Sequence, residues 1–188
     1  MCDLSRCVWC GDDPLYRDYH DKEWGQPCRD EKKLFEFLIL EGAQAGLSWI
    51  TILKRREGYR RAFANFDVGA VANFTETDIN RLILDSGIIR NRLKIKSAIN
   101  NAEKFQKIQC EFGSFSTFIW SYVDHKPVIN HWTEHCQIPA TTELSDRISS
   151  DMKKYGFTFF GSTICYAYLQ AMGLVNDHVL NCFKRTVR

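Results

Sequence analysis

No apolar run in this 188-residue chain approaches the ~20 residues a membrane span requires, and its opening, Met1-Cys2-Asp3-Leu4, has no signal-peptide pattern. The protein is therefore expected in the cytoplasm, with no membrane partner. Internal repeats, low-complexity tracts and interdomain linkers are also absent. With 45% hydrophobic and 26% charged residues, residues 1–188 are expected to form one domain around one core, burying roughly 68–70% of the unfolded surface. A strong charge imbalance is lacking too. A net charge of +2 does not by itself announce a nucleic-acid partner, so any basic surface must be local. Eight cysteines are present, but scattered through a core-rich chain without a leader, which favours reduced thiols or metal ligands over a disulfide framework.

What is present centres on residues 34–53, LFEFLILEGAQAGLSWITIL, an apolar helical pattern. Leu34, Phe37, Leu38 and Glu41 share one helix face, which puts a carboxylate where a core residue belongs. A buried carboxylate is costly without a partner. Glu41 could simply end a helix, satisfied by a cation or by amides. Yet Gly42-Ala43-Gln44-Ala45-Gly46 removes bulk beside it, so that a ligand or another backbone could come close, before Leu47-Ser48-Trp49 restores apolar surface. Asp30 is a suitable N-cap for this helix.

The first 27 residues have little periodicity and read as an irregular segment that something must hold. Cys7, Cys10 and His20 are candidates for a metal site, three ligands where zinc takes four. His178 and Cys182, four apart, would face the same way on a C-terminal helix and could complete a chelate joining both chain ends. His131, His135 and Cys136, in a loop with two prolines, are expected on the surface, and Cys165 in the core.

Two basic clusters stand out. Residues 54–61, KRREGYRR, carry five cations against one acid, equally suited to a solvated helix end. Residues 75–78 are a capping sequence for a helix over 79–84, and Asp85-Ser86-Gly87-Ile88-Ile89-Arg90-Asn91-Arg92 then breaks that helix and starts another, a hairpin over about residues 78–102. A tight turn exposing amides at a helix N-terminus, flanked by cations, suits a phosphate backbone, although a plain helical hairpin has the same spacing.

Arg6-Cys7-x-Trp9, Pro14-Leu15-Tyr16-x-x-Tyr19-His20-Asp21-x-Glu23-Trp24-Gly25, Glu41-Gly42-x-Gln44-Ala45-Gly46-Leu47-Ser48-Trp49, Gly87-Ile88-Ile89-Arg90-x-Arg92-x-Lys94-Ile95 and Val175-Asn176-Asp177-His178 together resemble the bacterial 3-methyladenine DNA glycosylase I family. The resemblance covers nearly the whole chain. It implies an all-α helix-hairpin-helix DNA glycosylase fold and one structural Zn2+ held by Cys7, His20, His178 and Cys182, joining termini 1–27 and 175–188. It implies a base pocket of Glu41, Trp9, Tyr16, Tyr19, Trp24 and Trp49, with Glu41 carrying the chemistry. Gly46 and Leu47 would fill the vacated base stack, and Gly87, Ile88, Arg90, Arg92 and Lys94 would grip phosphates. The expected partners are alkylated double-stranded DNA and, as product ligand, free 3-methyladenine, bound by a monomer. Aromatic faces and a carboxylate suit a methylated, cationic adenine. No catalytic Asp after the hairpin and no convincing Schiff-base lysine are found, which points to a glycosylase without strand cleavage.

Overall fold

The computed structural model describes residues 4–185; residues 1–3, on which the signal-peptide reading falls, and 186–188 lie outside the described residues. In chain order the helices are α1 (Pro14–Lys22), α2 (Glu31–Gln44), α3 (Trp49–Leu53), α4 (Arg56–Ala62), α5 (Val68–Ala72), α6 (Glu76–Leu84), α7 (Arg92–Phe112), α8 (Phe115–Ser121), α9 (Glu143–Lys154) and α10 (Ser162–Ala171). The expected helical architecture is found, with one addition, a short parallel pair β1 (Val128–Ile129) and β2 (Val175–Asn176). None of the described helices is long and apolar enough to cross a membrane.

Helix α2 lies at the centre because its sequence is apolar on nearly every side, and such a helix is stable only when surrounded. Residues 34–41 are all buried, and α3, α7, α8 and α10 pack around them. Asp30 caps the helix as expected, its Oδ1 accepting from Lys33 N at 2.8 Å. Glu31 reaches outward instead. Its carboxylate accepts from Phe115 N at 3.0 Å and Ser116 N at 2.7 Å, which locks the start of α8 onto α2, and Phe105 and Phe115 stack beside this contact with centroids 4.2 Å apart.

The 34–53 pattern is not one helix. It breaks after Gln44, where Gly46 adopts φ +80°, and resumes at Trp49. The exposed carbonyls at the break are capped by Lys94, whose Nζ donates to Ala43 O at 2.8 Å and Ala45 O at 2.7 Å. The N-terminal segment is more regular than expected. Pro14 at the first helical position and Asp13, whose Oδ1 accepts from Leu15 N at 2.9 Å, start α1 and place His20 on it. Conversely, His178 and Cys182 do not lie on a helix. Pairing of β2 with β1 holds the chain extended up to Asn176, and the turn that follows is fixed by His178 N donating to Asn176 Oδ1 at 3.1 Å and Cys182 N to Val179 O at 2.8 Å.

The α6–α7 hairpin forms where the glycine break placed it. Thr75 and Asp78 cap α6, and Asn91 caps α7 by accepting from Leu93 N and Lys94 N at 3.0 and 3.1 Å. Its turn rests directly on α4: a Cβ on Gly58 would lie 2.2 Å from Gly87 O. Gly58→Ala must therefore push the hairpin off α4. We expect it to lower stability by about 1–3 kcal/mol, read as a lower urea midpoint at unchanged slope, whereas Gly161→Ala, with open space around its Cβ position, should move the midpoint far less.

Candidate functional site

Trp9, Tyr16, Tyr19, Trp24, Glu41 and Trp49, widely separated in sequence, line one cavity of ≈ 270 Å³. Tyr16 and Tyr19 come from α1, Glu41 from the last turn of α2 and Trp49 from the first of α3. The rings form a continuous wall: Trp9 meets Tyr16 at 5.0 Å and Trp24 at 4.9 Å between centroids, and Tyr19 meets Trp49 at 5.5 Å. Phe37 stacks nearly parallel to Tyr19, with the Arg56 guanidinium 5.0 Å from the Phe37 ring centroid. Arg56 is itself clamped by both oxygens of Glu23, at 2.7 and 3.0 Å, and by Glu36 at 2.7 Å.

Glu41 is 2% exposed, and its Oε2 is enclosed without a hydrogen-bond partner, as is Trp49 Nε1. Burial alone pushes its pKa up to about 8. The protonated acid therefore predominates near neutrality, until a positive charge enters the cavity and favours the carboxylate. An aromatic wall with a carboxyl group held in reserve is suited to a flat, electron-poor or cationic ligand.

Gln44, His135, Ile138, Ala167 and Gln170 complete the lining. His135 is exposed, as expected of a surface residue, and the 3-10 turn His135–Gln137 also brings it, with Ile138, to the cavity's lining. His131 and Cys136 are exposed as expected, and Cys165 is buried. Gln44 lay inside a quoted motif, but nothing in local periodicity marked Gln170 or the loop residues, because they reach the cavity only through tertiary packing.

Behind the aromatic wall, Cys7, His20, His178 and Cys182 bring four potential metal-ligand atoms within 4.8 Å of one another, all on buried residues. Cys182 Sγ lies 3.3 Å from His178 Nδ1 and 3.4 Å from His20 Nε2, and Cys7 Sγ lies 3.6 Å from His178 Nδ1. The outer ring nitrogens are occupied. His20 Nδ1 faces Asp21 Oδ1 at 2.8 Å, and His178 Nε2 donates to Trp24 O at 3.2 Å, which turns the other nitrogens, His20 Nε2 and His178 Nδ1, towards the Cys182 thiol. Cys10 stands outside the cluster, its thiol donating to Cys7 O at 3.1 Å. The cluster could hold a metal ion, and because Trp9 packs on His20 and Trp24 on His178, it also positions the cavity wall.

The basic residues are less available than their sequence density suggested. Arg56 is internal to the Glu23–Glu36 network, Arg60 pairs with Glu36, and Lys54 with Asp13. On the hairpin, Lys94 caps α2, and Arg92 is paired with Glu76 and Asn80. The hairpin amides of Gly87 and Ile89 are also engaged, by Asp85 Oδ1 at 2.7 Å and Tyr59 Oη at 3.2 Å, and Ile88 is buried. Arg90 is exposed, with no side-chain partner among the described residues. Gly46 and a 40%-exposed Leu47 lie in the chain break between the lining residues Gln44 and Trp49 but do not themselves line the cavity.

The sequence matches the methyladenine glycosylase family over residues 9–185. The chain belongs to this family. It is 51% identical over 179 residues to DNA-3-methyladenine glycosylase 1 of Escherichia coli, covering 95% of this chain and 96% of that protein. The Haemophilus influenzae DNA-3-methyladenine glycosylase is 48% identical over 178 residues, with the same coverage of 95% and 96%. Among solved structures, 3-methyladenine DNA glycosylase I from Staphylococcus aureus, described for its recognition of 3-methyladenine, superposes with a TM-score of 0.95 at 38% identity, covering 98% of each chain.

Ionisation of Glu41 makes stability pH-dependent with a definite sign. Its folded-state pKa of about 8 exceeds the ordinary 4.5, so the folded protein holds a proton that the unfolded chain has lost across this window. Stability should then fall as pH rises from 4.5 towards about 8, by up to about 1.4 kcal/mol per pH unit. Denaturant unfolding at about pH 5 and about pH 9 should show this loss for the native chain, and Glu41→Gln should remove this component of the slope.

Proposed function

We propose that this chain is a DNA repair glycosylase that excises 3-methyladenine from alkylated DNA by hydrolysing the N-glycosidic bond, leaving an abasic site. The observation carrying this reading is the unpaired, buried Glu41 carboxyl in an aromatic-walled cavity, on a chain about half identical to named 3-methyladenine glycosylases. An adenine methylated at N3 while bonded to deoxyribose is cationic. It offers a positive charge to a carboxyl that has no other partner and a π face to the surrounding rings, and unmodified adenine lacks the charge.

The lesion must leave the duplex to reach this cavity, so the nucleotide is flipped out. Gly46 and the exposed Leu47 suit the vacated stack, where a small residue beside an apolar one can enter between bases. In the pocket the C1′–N9 bond breaks with its electron pair passing to the base, which leaves neutral. Water adds to C1′ and releases a proton. Glu41 favours the cationic reactant, and the aromatic wall excludes bulk water. The cavity lining contains no lysine, in keeping with a hydrolytic reaction without strand cleavage. Arg90 and Arg92 of the hairpin face DNA in this reading, with Arg90 the principal free cation; Gly87 and the buried Ile88 shape the turn, and Lys94 supports the Gln44–Trp49 break rather than phosphate. One protein chain, working in the cytoplasm as a monomer on duplex DNA, suffices.

The donor set fits zinc. Tetrahedral thiolate and imidazole ligands, at bonds of about 2.3 and 2.0 Å, lie about 3.5 Å apart, close to the 3.3–3.6 Å separations among Cys7, His20, His178 and Cys182. Four protein ligands leave no open position, so the ion would be structural and would supply no hydrolytic water. This weighs against a zinc hydrolase using His20 and His178.

Incubation with methylated duplex DNA should release 3-methyladenine above the heat-released background; DNA binding with no such release would leave only a DNA-binding module. Glu41→Gln should cut the excision rate at least about tenfold, the loss of one charge-assisted contact, and weaken binding of free 3-methyladenine while leaving duplex binding nearly unchanged. For the metal, elemental analysis should find one zinc per chain. Cys182→Ala should lose the zinc together with thermal stability, whereas Cys10→Ala should retain it; an intact fold that loses only turnover with the metal would instead mark a catalytic ion.

A further inference from the structure

Asp177 is wholly buried one residue before His178, yet among the described residues its carboxylate is bonded by neutral donors and not by a cation. Four donors converge on its carboxylate. Asn130 Nδ2 and Trp132 Nε1 reach Oδ1 at 2.7 Å each, and Tyr166 Oη and Gln170 Nε2 reach Oδ2 at 2.6 and 2.7 Å. The partners come from two walls of the base cavity. Tyr166 and Gln170 lie on α10, and Asn130 and Trp132 open the loop that goes on to His135 and Ile138.

Gln170 is the member of this set that lines the cavity. A side-chain amide has a donating end and an accepting end, and a carboxylate can only accept. Contact with Asp177 therefore selects the Gln170 amino group for the buried side and leaves Oε1 as the free end, with no hydrogen-bond partner among the described residues. Tyr166 cannot substitute for that choice, because burial and then its bond to Asp177 keep the phenol protonated and donating.

We infer that Asp177 is a positioning residue for base recognition: by accepting from Gln170 Nε2, it turns the Gln170 carboxamide oxygen towards the cavity to accept from the exocyclic amine of an adenine-type base. That amine supplies the only N–H donors on 3-methyladenine while it is still bonded to the sugar. A purine with a 6-oxo group in its place offers an acceptor there, and two acceptors facing each other are disfavoured. The aromatic wall and Glu41 read shape and charge, and the Asp177–Gln170 pair reads the 6-substituent. This inference rests on the functional reading above.

The test compares binding of two free bases, 3-methyladenine and 3-methylhypoxanthine, by quenching of tryptophan fluorescence in the full chain. The native protein should prefer the amino base; if it binds neither, the functional reading fails and this one with it. In Asp177→Asn the new amide can donate to Gln170, whose carboxamide can then turn over and present its amino group. Affinity for 3-methyladenine should drop by about three- to tenfold while that for 3-methylhypoxanthine holds or rises. Gln170→Met, similar in size but without an acceptor, should also lower the preference. Because Asp177 acts through Gln170, the double variant should be no worse than the poorer single one. Equal losses for both bases, or additive losses in the double variant, would show a merely structural role and overturn the inference. Should Asp177→Asn fail to fold, Gln170→Met decides alone: native 3-methyladenine binding with an unchanged base preference in that variant refutes the proposal.

Discussion

The unmet electrostatic demand of Glu41 is the constraint around which this molecule is arranged. A carboxyl group enclosed by aromatic rings and lacking a hydrogen-bond partner at Oε2 is costly, and the fold holds it there rigidly. Residues 34–40 bury apolar or paired side chains on every side of α2, so the helix cannot rotate to return Glu41 to water. Lys94 closes the carbonyl end of α2 immediately beyond, and Glu31 ties its other end to α8. Fixed in this way, the carboxyl is complementary to an incoming positive charge without having to reorganise, the condition under which electrostatic recognition is strongest.

Rigidity of α2 does not extend to the opposite wall, which is built from chain-terminal segments with little core of their own. Trp9 and Trp24 flank a nine-residue helix, and the described residues after β2, 177–185, form no helix or strand. The Cys7–His20–His178–Cys182 cluster joins these pieces across 171 residues of sequence. Its outer contacts run straight into the cavity wall, through the Trp24 carbonyl on His178 and the Trp9 ring on His20. A cross-link between chain ends limits the freedom of both at once, so a cluster that never touches the ligand can still set the spacing of the rings that do.

The parts of this site that were legible in the sequence were those carried by local pattern or by motif. Helical periodicity placed Glu41 on the inward face, Asp30 marked the start of α2, and the Gly87 break located the hairpin. Motif resemblance gathered the five aromatic residues and the four cluster residues before any geometry was available. Three features were hidden for physical reasons. Side-chain capping at Asp13 overrode a weak periodic signal and made α1 regular. Strand pairing and the burial of Asp177 overrode the i, i+4 spacing of His178 and Cys182, which meet through a turn. The partners of the basic residues could not be read either, since Arg56 reaches Glu23 across 33 residues and Lys94 reaches Ala43 across 51. A run of cations indicates surface only until its acids are known.

The buried acids themselves separate structure from function. Asp177 accepts four hydrogen bonds, and Glu36 accepts from two arginines. Each is satisfied from within, and a carboxylate so satisfied has nothing left to offer a ligand. Glu41 is the exception, with an enclosed Oε2 that no donor reaches and a pKa raised by burial alone. Burial by itself would therefore misdirect a search for the reactive group, because it singles out all of these acids equally. The discriminating quantity is the deficit between what a group can bond and what the fold supplies. That deficit is one hydrogen-bonding oxygen and one potential negative charge, located where five aromatic residues converge, and a flat cationic base is the ligand that fills both.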